Sequence, residues 1–114
     1  MSFESFASGD VQVIRLAGRL DSAQSPALER ALRELLDGGT AKLLLDLGGL
    51  DYISSAGLRV VLVAGKSLRG RQPPGRLALC GVRGMVREVF EMSGFLALFP
   101  VADTQDAALA LLAG

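Results

Sequence analysis

Histidine and tryptophan are absent from this 114-residue chain, and cysteine occurs once, at Cys80. Without histidine the commonest general base and the commonest metal ligand are gone. Neither a Ser-His-Asp nor a Cys-His nucleophilic machine can be assembled within the chain. A single cysteine excludes an intrachain disulfide, and its place in the run Leu77-Ala78-Leu79-Cys80 reads as a buried, inert thiol. Charge of one sign is lacking too. Twelve basic and 12 acidic residues cancel to a formal net charge of zero, so the basic footprint of a nucleic-acid binder is missing. No apolar run approaches the roughly 20 residues that span a bilayer. No N-terminal stretch joins a basic start to an apolar core, as a secretory signal would. The expectation is a cytoplasmic protein that binds neither nucleic acid nor membrane and carries no metal or cofactor.

Half of the residues are hydrophobic, enough for an ordered core, and the length fits a single domain over 1–114. Val11 to Gly18 alternates as a strand, with Gly9-Asp10 as the turn before it and Phe3 to Phe6 as an antiparallel hairpin partner. Ala27, Leu28, Ala31, Leu32, Leu35 and Leu36 recur at helical spacing. Ser25 is placed as the N-cap with Pro26 at the first helical position, and Gly38-Gly39 ends the helix. Leu43 to Leu47 reads as a central strand interrupted only by Asp46. A helix follows from about Ala56 to Arg69, then the Arg71-Gln72-Pro73-Pro74-Gly75 loop and a strand from Arg76 to Gly81. Gly84 to Met92 predicts a short helix with Val86, Val89, Phe90 and Met92 turned inward. Phe95 to Val101 is expected to contain a short strand, an edge strand because Pro100 cannot donate to a ladder. Asp103-Thr104 caps a last helix, Gln105 to Leu112. Strands alternating with helices give an α/β fold: a mixed, mainly parallel sheet of four to five strands packed with about four helices.

The most informative run is Leu43 to Leu58. A buried strand turns at Ile53 into two hydroxyls, Ser54 and Ser55, directly ahead of an apolar helix. A Ser in that position sits beside unpaired helix amides and the positive end of the helix dipole, where a phosphate is well tolerated. It is equally the place of an ordinary N-cap, and Ser54 can cap while Ser55 faces outward. At helical period Leu58, Val61, Leu62, Gly65 and Leu68 form the inner stripe. Arg59, Val60, Val63, Lys66 and Ser67 form the outer one. A basic and apolar outer stripe beside Ser54 and Ser55 suits a docking surface, unless a neighbouring loop covers Val60 or Val63.

Gly18-Arg19-Leu20-Asp21, Leu45-Asp46-Leu47, Ile53-Ser54-Ser55-Ala56-Gly57-Leu58 and Glu91-Met92-Ser93-Gly94 together resemble the STAS domains of bacterial anti-sigma factor antagonists. The resemblance runs in order from about Val11 to Leu112. It implies a single STAS domain with no catalytic activity of its own. Such a domain binds an anti-sigma factor that is also a serine kinase and thereby releases a sigma factor. Phosphorylation of one Ser ends the binding, and a serine phosphatase restores it. Matched residue by residue, the phosphoacceptor falls on Ser55, with Ser54 the alternative because many members carry Asp there. The outer stripe of the second helix and the loop after the second strand give the expected contact residues Asp21, Ser22, Ser54, Ala56, Gly57, Arg59, Val60 and Val63, with a monomer or weak dimer expected.

Two other functions compete: a STAS subunit of a stress-sensing or of a lipid- or anion-transport assembly, and a small-ligand sensor binding a nucleotide or lipid. Asp21, Asp46 and Asp51 carry no metal-ligand spacing and suit turn and strand-end roles. Gly48-Gly49 lacks the Lys and spacing of a phosphate loop. Gly57 and Gly65 suit close packing of the second helix on the sheet. Arg69, Arg71 and Arg76 read as a small basic patch, either solvated or able to steer an acidic partner.

Overall fold

The computed structural model describes residues 1–113. Five strands run in the spatial order of the chain: β1 (Ser2–Ser8), β2 (Val11–Leu20), β3 (Lys42–Ile53), β4 (Arg76–Cys80) and β5 (Val101–Ala102). The β1–β2 hairpin is antiparallel and every later pair is parallel. Four helices connect or follow them: α1 (Ser25–Asp37), α2 (Ser55–Arg69), α3 (Gly84–Met92) and α4 (Gln105–Leu112). Strand alternation divides the core in two. Ile14, Leu16, Leu43, Leu45, Leu47, Leu77 and Leu79 face α1, α2 and α3 in the main cluster. Val11, Val13, Leu44, Ala78 and Cys80 face α4 in a smaller one. A central strand covered on both faces needs apolar residues in succession, which is why Leu43-Leu44-Leu45 does not alternate. Asp46 lies on the α4 side, where its carboxylate accepts from Gln105 Nε2 at 3.0 Å and from the Gly48 amide at 3.0 Å, and faces Arg15 Nε at 3.6 Å.

The helix ends follow local chemistry. Ser25 is not the cap of α1. It is the first helical residue, buried, with its hydroxyl donating to the Asp21 carbonyl at 2.8 Å, and Gln24 holds the cap position. Asp21 supplies the side-chain acceptor, taking the amides of Ala23 and Gln24 at 3.0 and 3.1 Å. At the other end Gly39 (φ 96°) lets Thr40 N donate to Leu35 O and Gly39 N to Leu36 O, the paired bonds of a Schellman stop. Thr104 caps α4 through the Ala107 amide at 3.1 Å, as its sequence predicts.

Three further expectations are corrected. Phe95–Ala97 is a 3₁₀ turn, and the strand shrinks to Val101–Ala102. Phe95 and Phe99, four apart, both point into the core and extend an aromatic row from Phe90 at centroid spacings of 5.0 and 5.1 Å. Met92 does not pack inward: it is 88% exposed at the end of α3. Val60 is only 8% exposed and belongs to the main cluster, while Leu58 and Leu62 are half-buried. Helix α2 rests on the sheet and also against α1, so it buries a second flank that a one-faced helix does not have.

Candidate functional site

The β3 strand ends at Ile53, whose side chain is buried, and the chain turns through Ser54 into α2. Ser54 is extended (φ −84°, ψ 169°) and its hydroxyl accepts the Gly57 amide at 3.2 Å. Its own amide donates to Leu20 O at 2.8 Å, which ties the start of α2 to the end of β2. Gly57 has no room for a side chain, since a Cβ there would stand 2.7 Å from Leu20 Cγ and 3.1 Å from Ile53 Cγ1. Gly65 is closer still to its neighbours, 2.3 Å from Phe99 Cζ by the same construction. These two positions seat α2 on the sheet and so fix the direction in which its first turn points.

With Ser54 occupied as the cap, Ser55 is left exposed, and its hydroxyl makes no hydrogen bond among the described residues. No acidic residue lies in the first turn of α2, while Lys66 and Arg69 lie in the last. The positive end of the dipole is therefore not neutralised by the helix's own side chains, and the first amides remain available to an anion.

Ser55 opens onto a shallow groove between the first turns of α1 and α2. Ser22, Ser25, Pro26 and Glu29 line one wall, and Ser55, Ala56, Arg59, Val60 and Val63 line the other. Of the residues proposed from sequence, Ser22, Ser55, Ala56, Arg59, Val60 and Val63 are thus brought together. Val63 is 53% exposed and Val60 contributes only the edge of a buried side chain. Asp21, Ser54 and Gly57 do not line the groove; they build it, as turn acceptor, helix cap and packing glycine. Pro26 and Glu29 were missed. A right-handed crossover places α1 and α2 side by side on one face, so the first turn of α1 was the place to search.

The remaining candidates have structural partners. Asp51 pairs with Arg83 at 3.2 Å. Arg71 donates to Thr40 O at 2.8 Å and to Leu36 O, and Arg76 to Leu111 O at 2.8 Å, while Arg69 lies over the Phe99 ring at 6.0 Å. Cys80 is buried, and burial together with the nearby Asp46 carboxylate pushes its thiol up to about 12. Among the described residues no group of three or more acidic, His or Cys side chains is placed to hold a metal, and no helix is long and apolar enough to cross a membrane.

The STAS domain family model matches residues 4–108. A Bordetella bronchiseptica protein, BtrV, assigned as an anti-sigma factor antagonist, is 54% identical over 95 residues, or 83% of this chain and 80% of that protein. An anti-sigma F factor antagonist of Paenibacillus polymyxa is 30% identical over 100 residues, 87% of this chain and 84% of that one. Among solved structures, the Bacillus cell fate determinant SpoIIAA in its phosphorylated form superposes with a TM-score of 0.76 at 23% identity, covering 98% of this chain and all of that one.

Proposed function

Because this chain belongs to the anti-sigma factor antagonists of the STAS domain family, we propose that it is a cytoplasmic partner switch acting through the groove beside Ser55. In the unmodified state the groove docks an anti-sigma factor with serine kinase activity, and the sigma factor is released. Phosphorylation of Ser55 ends the docking, and a serine phosphatase reverses it. The chain is substrate and ligand in this cycle, with no turnover of its own, and a monomer suffices for each step.

The observation that carries the reading is the division of work between two adjacent hydroxyls. Ser54 is consumed by the helix, whereas Ser55 is exposed at the mouth of the groove. Phosphorylation adds about −1.5 to −2 charges at that point. Amides and dipole at the start of α2 accommodate them within the chain. A partner that had buried a neutral Ser must instead desolvate a dianion, which costs several kcal/mol without a waiting cation. About 2.7 kcal/mol is already a hundredfold in affinity, so the change is large enough to act as a switch. The transport-subunit and ligand-sensor alternatives lack a comparable observation.

The test uses wild type, Ser55→Ala and Ser55→Glu as baits in lysate of the source cell. The expected result is a kinase-like anti-sigma factor held by wild type and Ser55→Ala and lost from Ser55→Glu, which with ATP phosphorylates wild type but not Ser55→Ala. Equal capture by all three baits would end the switch reading and leave Ser55 a plain surface residue.

A further inference from the structure

Arg59 lies four residues after Ser55 on α2 and is exposed in the same groove. Residues at this spacing are neighbours on a helix surface, about 6 Å apart at Cβ, and the order acid first, base second is the favourable one. The other charged residue that lines the groove is already paired. Glu29, the carboxylate of the facing α1 wall, pairs with Arg33 at 3.3 Å. The Asp21 carboxylate takes two turn amides, and Asp51 pairs with Arg83. Among the described residues Arg59 is in none of the ion pairs and is the one cation that lines the groove.

We propose that Arg59 folds back onto the phosphate of a phosphorylated Ser55, so that modification both adds a dianion to the docking face and withdraws the cation that lines it. This rests on the reading of Ser55 as the modified residue. A guanidinium presents two parallel donors to phosphate oxygens, while the amides at the start of α2 approach from the helix end. The phosphate is thus held between two sets of donors belonging to its own chain. In the unmodified protein the same guanidinium is free to meet a carboxylate of the partner. A partner that reads Arg59 therefore meets, after modification, both an added dianion and a missing cation.

The test is a ³¹P NMR pH titration of protein carrying phosphoserine at position 55, installed by an expanded genetic code so that no kinase is needed. A phosphoserine titrates with a second pKa of about 6, and a cation at contact favours the dianion and lowers that midpoint. Arg59→Gln is expected to raise the midpoint by about 0.3 unit, the size that an i,i+4 ion pair supplies. Arg59→Lys is expected to recover only part of the difference, because it keeps the charge but cannot fork. Identical midpoints for wild type and Arg59→Gln, with helix content unchanged by circular dichroism, would overturn the clamp. The functional reading fails separately, by a kinase that modifies Ser54 or neither residue, and that outcome leaves the titration valid.

Discussion

Removing one oxygen from Ser54 and one from Ser55 should give opposite results, although the residues are adjacent. Ser54 Oγ accepts the Gly57 amide at 3.2 Å, and Gly57 is buried beneath Leu20 and Ile53. Ser54→Ala deletes the acceptor and leaves that amide in a place water reaches poorly, so the cap bond is lost and the donor's desolvation goes uncompensated. The 3.2 Å bond is long, which puts the expected loss near the middle of the N-cap range, about 1 kcal/mol. Ser55 has no bond to lose, and Ala is the better helix former, so Ser55→Ala should be neutral or stabilising by a few tenths of a kcal/mol. For a chain of this size 1 kcal/mol corresponds to about 4 °C in Tm. Urea unfolding followed by far-ultraviolet circular dichroism suits a protein without tryptophan, and a shift in midpoint at constant slope reads stability directly. If Ser55→Ala lost as much as Ser54→Ala, or Ser54→Ala lost nothing, the assignment of cap and free hydroxyl would be refuted. The docking argument built on a free Ser55 would go with it.

Gly65→Ala places a methyl 2.3 Å from Phe99 Cζ and 3.0 Å from Leu77 Cδ2; overpacking should outweigh the gain in helix propensity and cost about 1 kcal/mol net, checked by the same urea titration. A more stable Gly65→Ala would show that Phe99 yields freely. Arg71→Ala unbinds Thr40 O and Leu36 O at the end of α1 and should cost about 1 to 2 kcal/mol, with Arg71→Lys recovering only part because an ammonium cannot fork. Cys80 gives a pH dependence. Above its ordinary value of 9.0 the thiol of the unfolded chain ionises, whereas in the native state it keeps its proton up to about 12. The folded state then binds more protons, and stability falls as pH rises from 9 to 12. The wild-type urea midpoint should therefore drop more between pH 8 and about 10.5 than that of Cys80→Ala, and equal drops would refute the raised thiol.

The sheet was legible because its signals are local and redundant. Leu43-Leu44-Leu45 carries apolar side chains to both faces, and the alternation of β2 around Val13 and Ile14 divides them between two helical layers. The hydroxyl pair at the start of α2 was legible for the same reason, since strand, turn and helix meet within a few residues. What was hidden depends on neighbours distant in sequence. Val60 belongs to the outer stripe of an isolated α2 and is buried only because α1 lies alongside. Phe95 and Phe99 satisfy a strand-sized apolar run, yet their spacing of four suits the turn that continues the Phe90 row. Ser25 has the composition of a cap, but Asp21 reaches the turn amides first, and the Ser25 hydroxyl goes to a carbonyl instead.

The neutral Ser at position 54 acquires a physical meaning from this geometry. An N-cap needs an oxygen that accepts an amide, and Ser54 provides one, so the helix starts as it would with a carboxylate. The difference is charge. An Asp at the cap would neutralise part of the dipole and would repel a phosphate on the next residue. The neutral cap leaves both the helix end and Arg59 to the phosphate. If Ser55 is the switch residue, a neutral Ser54 adds no repulsion to its phosphorylated state. Ser54→Asp in the phosphoserine-55 protein should raise the ³¹P titration midpoint, and an unchanged midpoint would mean that the cap charge is screened from its neighbour.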